Sequence, residues 1–268
     1  MAPIPMALLG LCAVLWLPGD LCAASFQVSP TRFEFPLDKR YTEFFTVTNT
    51  ASAPVRLRVY PKNVTIDPNN KLLEGVQSPH DLSRWVVLSP RRLSLQPEQR
   101  RVVRFSVRPP SGLTGGEYRT VIFFEELPPP PDPEQPVESG ESQFQLRLLT
   151  RLGVPLYGMA GPKSVGVRLG NEGVSTQGNQ VVLRAQLTNQ SNAYLVLIPR
   201  VRLLDADGDE VYRYEGRIVL QRDQTLNWSH AVDRPAAGSY TLSFSATHED
   251  GTVLSQTFPV RVGPPTQE

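Results

Sequence analysis

From Phe144 to Val154 the chain reads FQLRLLTRLGV, and the side chains of an extended segment alternate sides at every residue. Phe144, Leu146, Leu148, Thr150, Leu152 and Val154 therefore share one face, while Gln145, Arg147, Leu149, Arg151 and Gly153 share the other. So long a period of two fits a strand with one apolar side and does not fit a helix. From Ser25 onward the chain continues in this manner, as short runs rich in Val, Thr, Phe, Leu and Tyr broken by Pro, Asn and Gly. The pattern gives an all-β fold class: two immunoglobulin-like β-sandwich domains in series.

The first domain is expected over residues 25–158. Phe26 and Val28 lie on one face before Pro30, and Phe33 and Phe35 take the opposite parity after it, so the chain kinks or changes sheets at the proline. Further strands are predicted over 43–48, 55–60, 84–88, 91–95, 101–107, 118–125 and 144–156. Gly158, Gly161 and Pro162 interrupt the series. A second domain, 159–268, then repeats it over 165–169, 181–188, 195–204, 210–214, 226–232, 240–246 and 253–262. The short linker makes the cleft between the sandwiches a candidate site.

Residues 1–24 read as a secretory signal peptide removed near Ala24, because Leu8 to Leu17 is apolar yet too short to span a bilayer. Both cysteines, Cys12 and Cys22, fall in that leader, so the mature chain depends on its hydrophobic cores and on no disulfide. The formal charge of +1 hardly changes on removal of the leader, whose only charged side chain is Asp20. Such a balance offers nothing to nucleic acid. His80, His230 and His248 have no nucleophile motif or metal-ligand spacing around them, so neither an enzyme nor a cofactor is expected. The acidic run Asp205, Asp207, Asp209, Glu210 reads as a tight hairpin turn around Gly208 rather than a calcium loop. Pro128 to Pro136, dominated by proline, reads as an extended loop between two strands.

Several stretches together resemble the periplasmic pilus-assembly chaperone family (PapD-like), as a divergent branch. They are VSPTRFEF at 28–35, FFTVTNTASAPVRLRV at 44–59, WVVLSPRRLSLQPEQRRVVRF at 85–105, GEYRTVIFFEELPPP at 116–130 and GVPLY at 153–157, with looser matches in LTNQSNAYL at 187–195 and LLDADGDEV at 203–211. The resemblance implies a boomerang of two domains. It also implies donor-strand complementation of pilus subunits, delivery to an outer-membrane usher, a periplasmic location, a part in fimbrium biogenesis and cell wall organization, and self-association when free. By the same resemblance Phe144, Leu146 and Leu148 are the lent side chains, and Arg32 holds the subunit's C-terminal carboxylate. The family's second anchor, a lysine, falls on Gly153, and Arg151, two residues away on the same face, is the candidate substitute. The competing expectation is a secreted immunoglobulin-like adhesion or structural module.

Overall fold

The computed structural model describes residues 24–128, 148–177, 180–233, 235–248, 251 and 253–263. The leader through residue 23, most of the proline-rich loop, Phe144 and Leu146 lie outside the described residues. In the first sandwich one sheet runs β1 (Phe26–Ser29), β3 (Tyr41–Asn49), β9 (Arg100–Val107), β7 (Val86–Ser89). The facing sheet runs β2 (Phe33–Pro36), β11 (Arg151–Ala160), β10 (Gly116–Glu126), β4 (Val55–Lys62), β8 (Arg92–Leu95). Pro30 does separate the sheets: β1 pairs with β3, whereas β2 pairs in parallel with β11. The parity change of the four apolar residues follows, since all four must reach the same core. Phe45 sits at its centre, with the rings of Phe33, Phe105 and Phe124 all between 5.1 and 5.2 Å away. Such aromatic contacts add about 0.5–1.5 kcal/mol each beyond burial.

The second sandwich sets β12 (Val167–Gln177), β13 (Gln180–Asn189) and β17 (Thr225–Asp233) against β15 (Glu210–Glu215), β14 (Leu195–Leu204), β18 (Gly238–His248) and β19 (Val253–Val262). A short β16 (Ile218–Leu220) adds to β14. Leu187, Leu195, Leu197 and Val201 are fully buried between the sheets. The acidic run is a hairpin turn: Asp205 Oδ1 accepts from the amides of Asp207 at 3.0 Å and Asp209 at 2.9 Å, and Gly208 has φ +89°. The first core extends to Ala160 and the second begins at Leu169.

Two local expectations need correction, and one element was not foreseen. The strand predicted over 144–156 pairs, among the described residues, only from Arg151. Its partner strand β10 ends at Glu126, whose amide reaches Thr150 O at 2.9 Å, and Leu127 turns instead to Arg56 O, so among the described residues β10 offers Leu148 and Leu149 no further pairing. Arg84 lies in a 3-10 turn and not in a strand, because Asp81 takes up the amide of Ser83 at 2.8 Å and closes that turn. The sequence pattern also gave no sign of the hairpin β5 (Val64–Ile66) and β6 (Leu72–Glu74), whose strands are too short to show a period.

The two sandwiches share one device. In TNTASA and TNQSNA the asparagines Asn49 and Asn189 are buried, and each side-chain amide staples a turn to a distant strand end. Asn49 Nδ2 donates to Ala53 O at 2.9 Å and Leu95 O at 3.0 Å, while its Oδ1 accepts from Ala51 N at 2.9 Å. Asn189 does the same with Ala193 O, Gln221 O and Ser191 N. Replacing Asn49 with Ala leaves buried carbonyls unpaired, so Asn49→Ala is expected to destabilise the first sandwich by about 2–4 kcal/mol in urea unfolding. An unchanged midpoint would contradict the staple.

Hairpin β5–β6 is clamped to β4 and β11 through Glu74, which accepts from Lys62 Nζ at 2.9 Å and from Arg151 Nη1 and Nη2 at 2.7 and 3.0 Å. The Arg151 and Lys62 bonds pull the Glu74 carboxyl down from 4.5 to about 2. Its folded pKa is depressed, so the clamp is complete above about pH 4.5 and is lost as pH falls toward 2. The Leu73 and Gly75 amide resonances should follow that titration in the wild type and stay flat in Glu74→Gln, which itself costs about 1 kcal/mol or less. An identical titration in both proteins would contradict the clamp.

Candidate functional site

Strand β10 has two faces. Tyr118, Ile122 and Phe124 enter the core, and Glu117, Arg119, Val121, Phe123 and Glu125 point away from it. On β11, Val154 and Leu156 face the core, while Arg151, Gly153, Pro155 and Tyr157 share the outer face. The antiparallel register sets Arg119 opposite Tyr157, Val121 opposite Pro155, Phe123 opposite Gly153 and Glu125 opposite Arg151. Hairpin β5–β6 stands over this face. Between them lies a cleft of about 340 Å³, walled by Val64, Ile66 and Leu72 on one side and by Val121, Phe123 and Pro155 on the other, with Arg119, Tyr157 and Gln221 also lining it.

Gly153 lies in the floor of that cleft. A Cβ there would come within 2.8 Å of Val121 Cγ1 and 3.1 Å of Phe123 Cε1, so the two side chains close over the glycine only because it has none. Position 153 thus lacks both an anchoring group and ready room for one. Arg151, the sequence candidate for that role, is engaged elsewhere: besides its two bonds to Glu74, its guanidinium sits 3.8 Å from the ring centroid of Phe123.

Arg32 lies between the rings of Tyr157, from the first sandwich, and Tyr194, from the second, 4.4 and 4.5 Å from their centroids. Its Nε donates to Glu34 Oε1 at 2.5 Å, and the hydroxyl of Tyr194 donates to the same carboxylate at 3.2 Å. Burial pushes the Tyr194 hydroxyl up to about 12. The Arg32 side chain keeps 39% of its exposure, and among the described residues its Nη groups make no hydrogen bond, so it can still grip an incoming acid.

Arg119 stands on the other side of Tyr157 and was not foreseen as a site residue. Its guanidinium donates to the side-chain oxygen of Gln221 and, among the described residues, has no carboxylate within ion-pair distance. Burial pulls its pKa below the ordinary arginine value, with Glu117, Tyr157 and Asp223 acting in the opposite direction. A cation so placed is poorly solvated and unpaired, a strong acceptor site for an anion. The parity of GEYRTVIFF could have flagged a charge in mid-strand. Its position beside Gly153 and Tyr157 needed the register of β10 against β11.

The junction between the sandwiches runs through the start of β10. Glu117 N donates to Asn192 O at 2.7 Å, its Oε2 accepts from Tyr194 N at 3.0 Å, and its carbonyl accepts from Arg222 Nη1 at 3.0 Å. Burial raises the Glu117 carboxyl above the ordinary range. Gly116 has φ +119°, and a Cβ there would meet Asn192 O at 2.7 Å, so glycine lets the second sandwich approach. His80 and Asp223 add a 3.5 Å contact, and Asn227 N reaches Pro68 O at 2.7 Å. Of the predicted donor residues only Leu148 is described, and its side chain is exposed.

No protein-family model matches the chain, and no curated protein does. Solved structures do. A chain of the chaperone–tip adhesin complex of CFA/I fimbriae biogenesis superposes with a TM-score of 0.50 at 12% identity, over 89% of this chain and 100% of that one. The class 5 fimbriae chaperone CfaA gives 0.49 at 11%, over 89% and 99%, and the Salmonella enterica SafA pilin–SafB chaperone complex gives 0.41 at 14%, over 90% and 97%. At these identities the likeness is one of fold. The chain therefore has the fold of the fimbrial assembly chaperones, two immunoglobulin-like sandwiches in series.

Proposed function

We propose that this protein is a periplasmic chaperone, and not an enzyme, that holds pilus subunits by lending them a strand and passes them to an outer-membrane usher. The observation that carries the reading is the pair of arginines flanking Tyr157 on this fold: Arg32 with free Nη groups, and Arg119 with no carboxylate partner among the described residues. Two cations at the junction, one on each side of Tyr157, suit a terminal carboxylate. Arg32 keeps the role that its motif implies. Arg119, rather than the engaged Arg151, supplies the second cation that Gly153 lacks.

A second observation supports strand lending. Strand β2 covers β11 only from Leu156 to Met159, so residues 151–155 pair with β10 on one side and, among the described residues, with nothing on the other. An open strand edge is normally an aggregation hazard and is also the requirement for β-augmentation, in which main-chain hydrogen bonds supply affinity and alternate side chains enter pockets. Phe144, Leu146 and Leu148 continue that edge in sequence and are the proposed lent side chains. Burying each contributes about 1.5–3 kcal/mol before ordering costs. Masking this edge between clients gives a reason for self-association of the free protein.

The test is capture of a pilus subunit deprived of its own final strand, co-expressed with this chain. Arg119→Gln and Arg32→Ala should each weaken capture by about 10- to 100-fold, the loss of charge-assisted hydrogen bonds worth about 1.5–3 kcal/mol, and Arg32→Ala should leave the melting temperature within a few degrees. Leu146→Glu should abolish capture. Arg151→Ala should weaken it by less than about threefold, since that guanidinium already serves Glu74. Capture at wild-type strength by both Arg119→Gln and Arg32→Ala would overturn the anchor, and no capture by the wild type would overturn the chaperone reading.

A further inference from the structure

We infer that the cleft under hairpin β5–β6 is a pocket for the side chain of a client's C-terminal residue, and that it selects an apolar one whose own α-carboxylate lies on Arg119. The client's being a polypeptide rests on the chaperone reading; the pocket's chemistry does not. At about 340 Å³ the cleft falls within the size range of small-ligand sites, and its walls are apolar. Phe123 is nearly buried at its base, whereas Leu72, 55% exposed, stands at its mouth as a large apolar side chain facing solvent. An apolar group entering the cleft would cover it.

Among the described residues Arg119 is the only charged one lining the cleft, and it has no acid in ion-pair contact. An apolar body with one anionic group close to it describes a terminal amino acid with a free carboxylate. Gly153 adds the reason for the departure from a lysine: a side chain on β11 at that point would press into Val121 and Phe123 and fill the space. The edge of β11 at residues 151–155, unpaired among the described residues, gives the direction of approach. A client chain paired along that edge runs beside Gly153 and Pro155, both of which line the cleft, so its end and the pocket meet.

The experiment is a methyl-resonance titration of the full mature chain, following Val64, Ile66 and Leu72, with four probes. These are N-acetyl-Gly-Gly-Phe as the free acid, the same peptide as the C-terminal amide, N-acetyl-Gly-Gly-Gly as the free acid, and hexanoate. The free-acid phenylalanine peptide should saturate, and the amide and the triglycine acid should bind at least about tenfold more weakly. Leu72→Asp, at a position 55% exposed, and Arg119→Gln should each weaken the phenylalanine peptide by a similar factor. Equal binding of the three peptides, no saturable shift, or indifference to Leu72→Asp would overturn the pocket. Hexanoate binding as tightly as the peptide would overturn its assignment to a polypeptide terminus. Subunit capture that persists while all four probes fail would sink the pocket alone; ordered probe binding without capture would sink the chaperone reading alone.

Discussion

One strand carries two incompatible environments, one on each of its faces. The core side of β10 is aromatic and aliphatic, and Phe124 and Ile122 have no solvent exposure at all. The other side presents Glu117, Arg119, Val121, Phe123 and Glu125 to the junction, to the cleft under the hairpin and to the ion-pair cluster around Arg58 and Tyr60. Alternation with a period of two makes this possible, and a slip of one residue would drive Arg119 and Glu117 into the phenylalanine core. The long ladders to β4 and β11 therefore fix both the stability of the first sandwich and the geometry of the site.

The junction is built from polar contacts rather than from a second hydrophobic seam. Glu117 bonds to the second sandwich through its amide, its carbonyl and one carboxylate oxygen, and Arg32 stacks between one tyrosine of each domain. Cation–π contacts of this kind contribute about 0.5–2 kcal/mol, more as water is excluded. Packing of this sort orients the two sandwiches while leaving Arg119 without a partner of opposite charge among the described residues. In the proposed complex a client carboxylate would supply the counter-charge that Arg119 lacks among the described residues.

Much of the fold was legible because a sandwich core imposes parity. The opposite phases of Phe26 and Val28 against Phe33 and Phe35 marked the change of sheets at Pro30, and the Asp205 to Glu210 run disclosed its hairpin. Hairpin β5–β6 was not legible: three-residue strands carry no period, and Leu72 gains its meaning only from facing Val121 and Phe123. For the site, Arg32 could be named from its motif, and the glycine at 153 could be noticed. The partners of Arg151 and Arg119 could not. Glu74 lies 77 residues from Arg151, and Gln221 lies 102 residues from Arg119, in the other sandwich. Sequence distance hid which arginine already had a carboxylate partner and which, among the described residues, had none.

The most direct measurement of the central claim is the crystal structure of this chain in complex with a subunit whose C-terminus is intact. The terminal carboxylate should lie within about 2.7–3.2 Å of the Arg119 guanidinium, with the client strand paired along residues 151–155 of β11. A carboxylate bonded to Arg151, or left in solvent away from both Arg32 and Arg119, would contradict it.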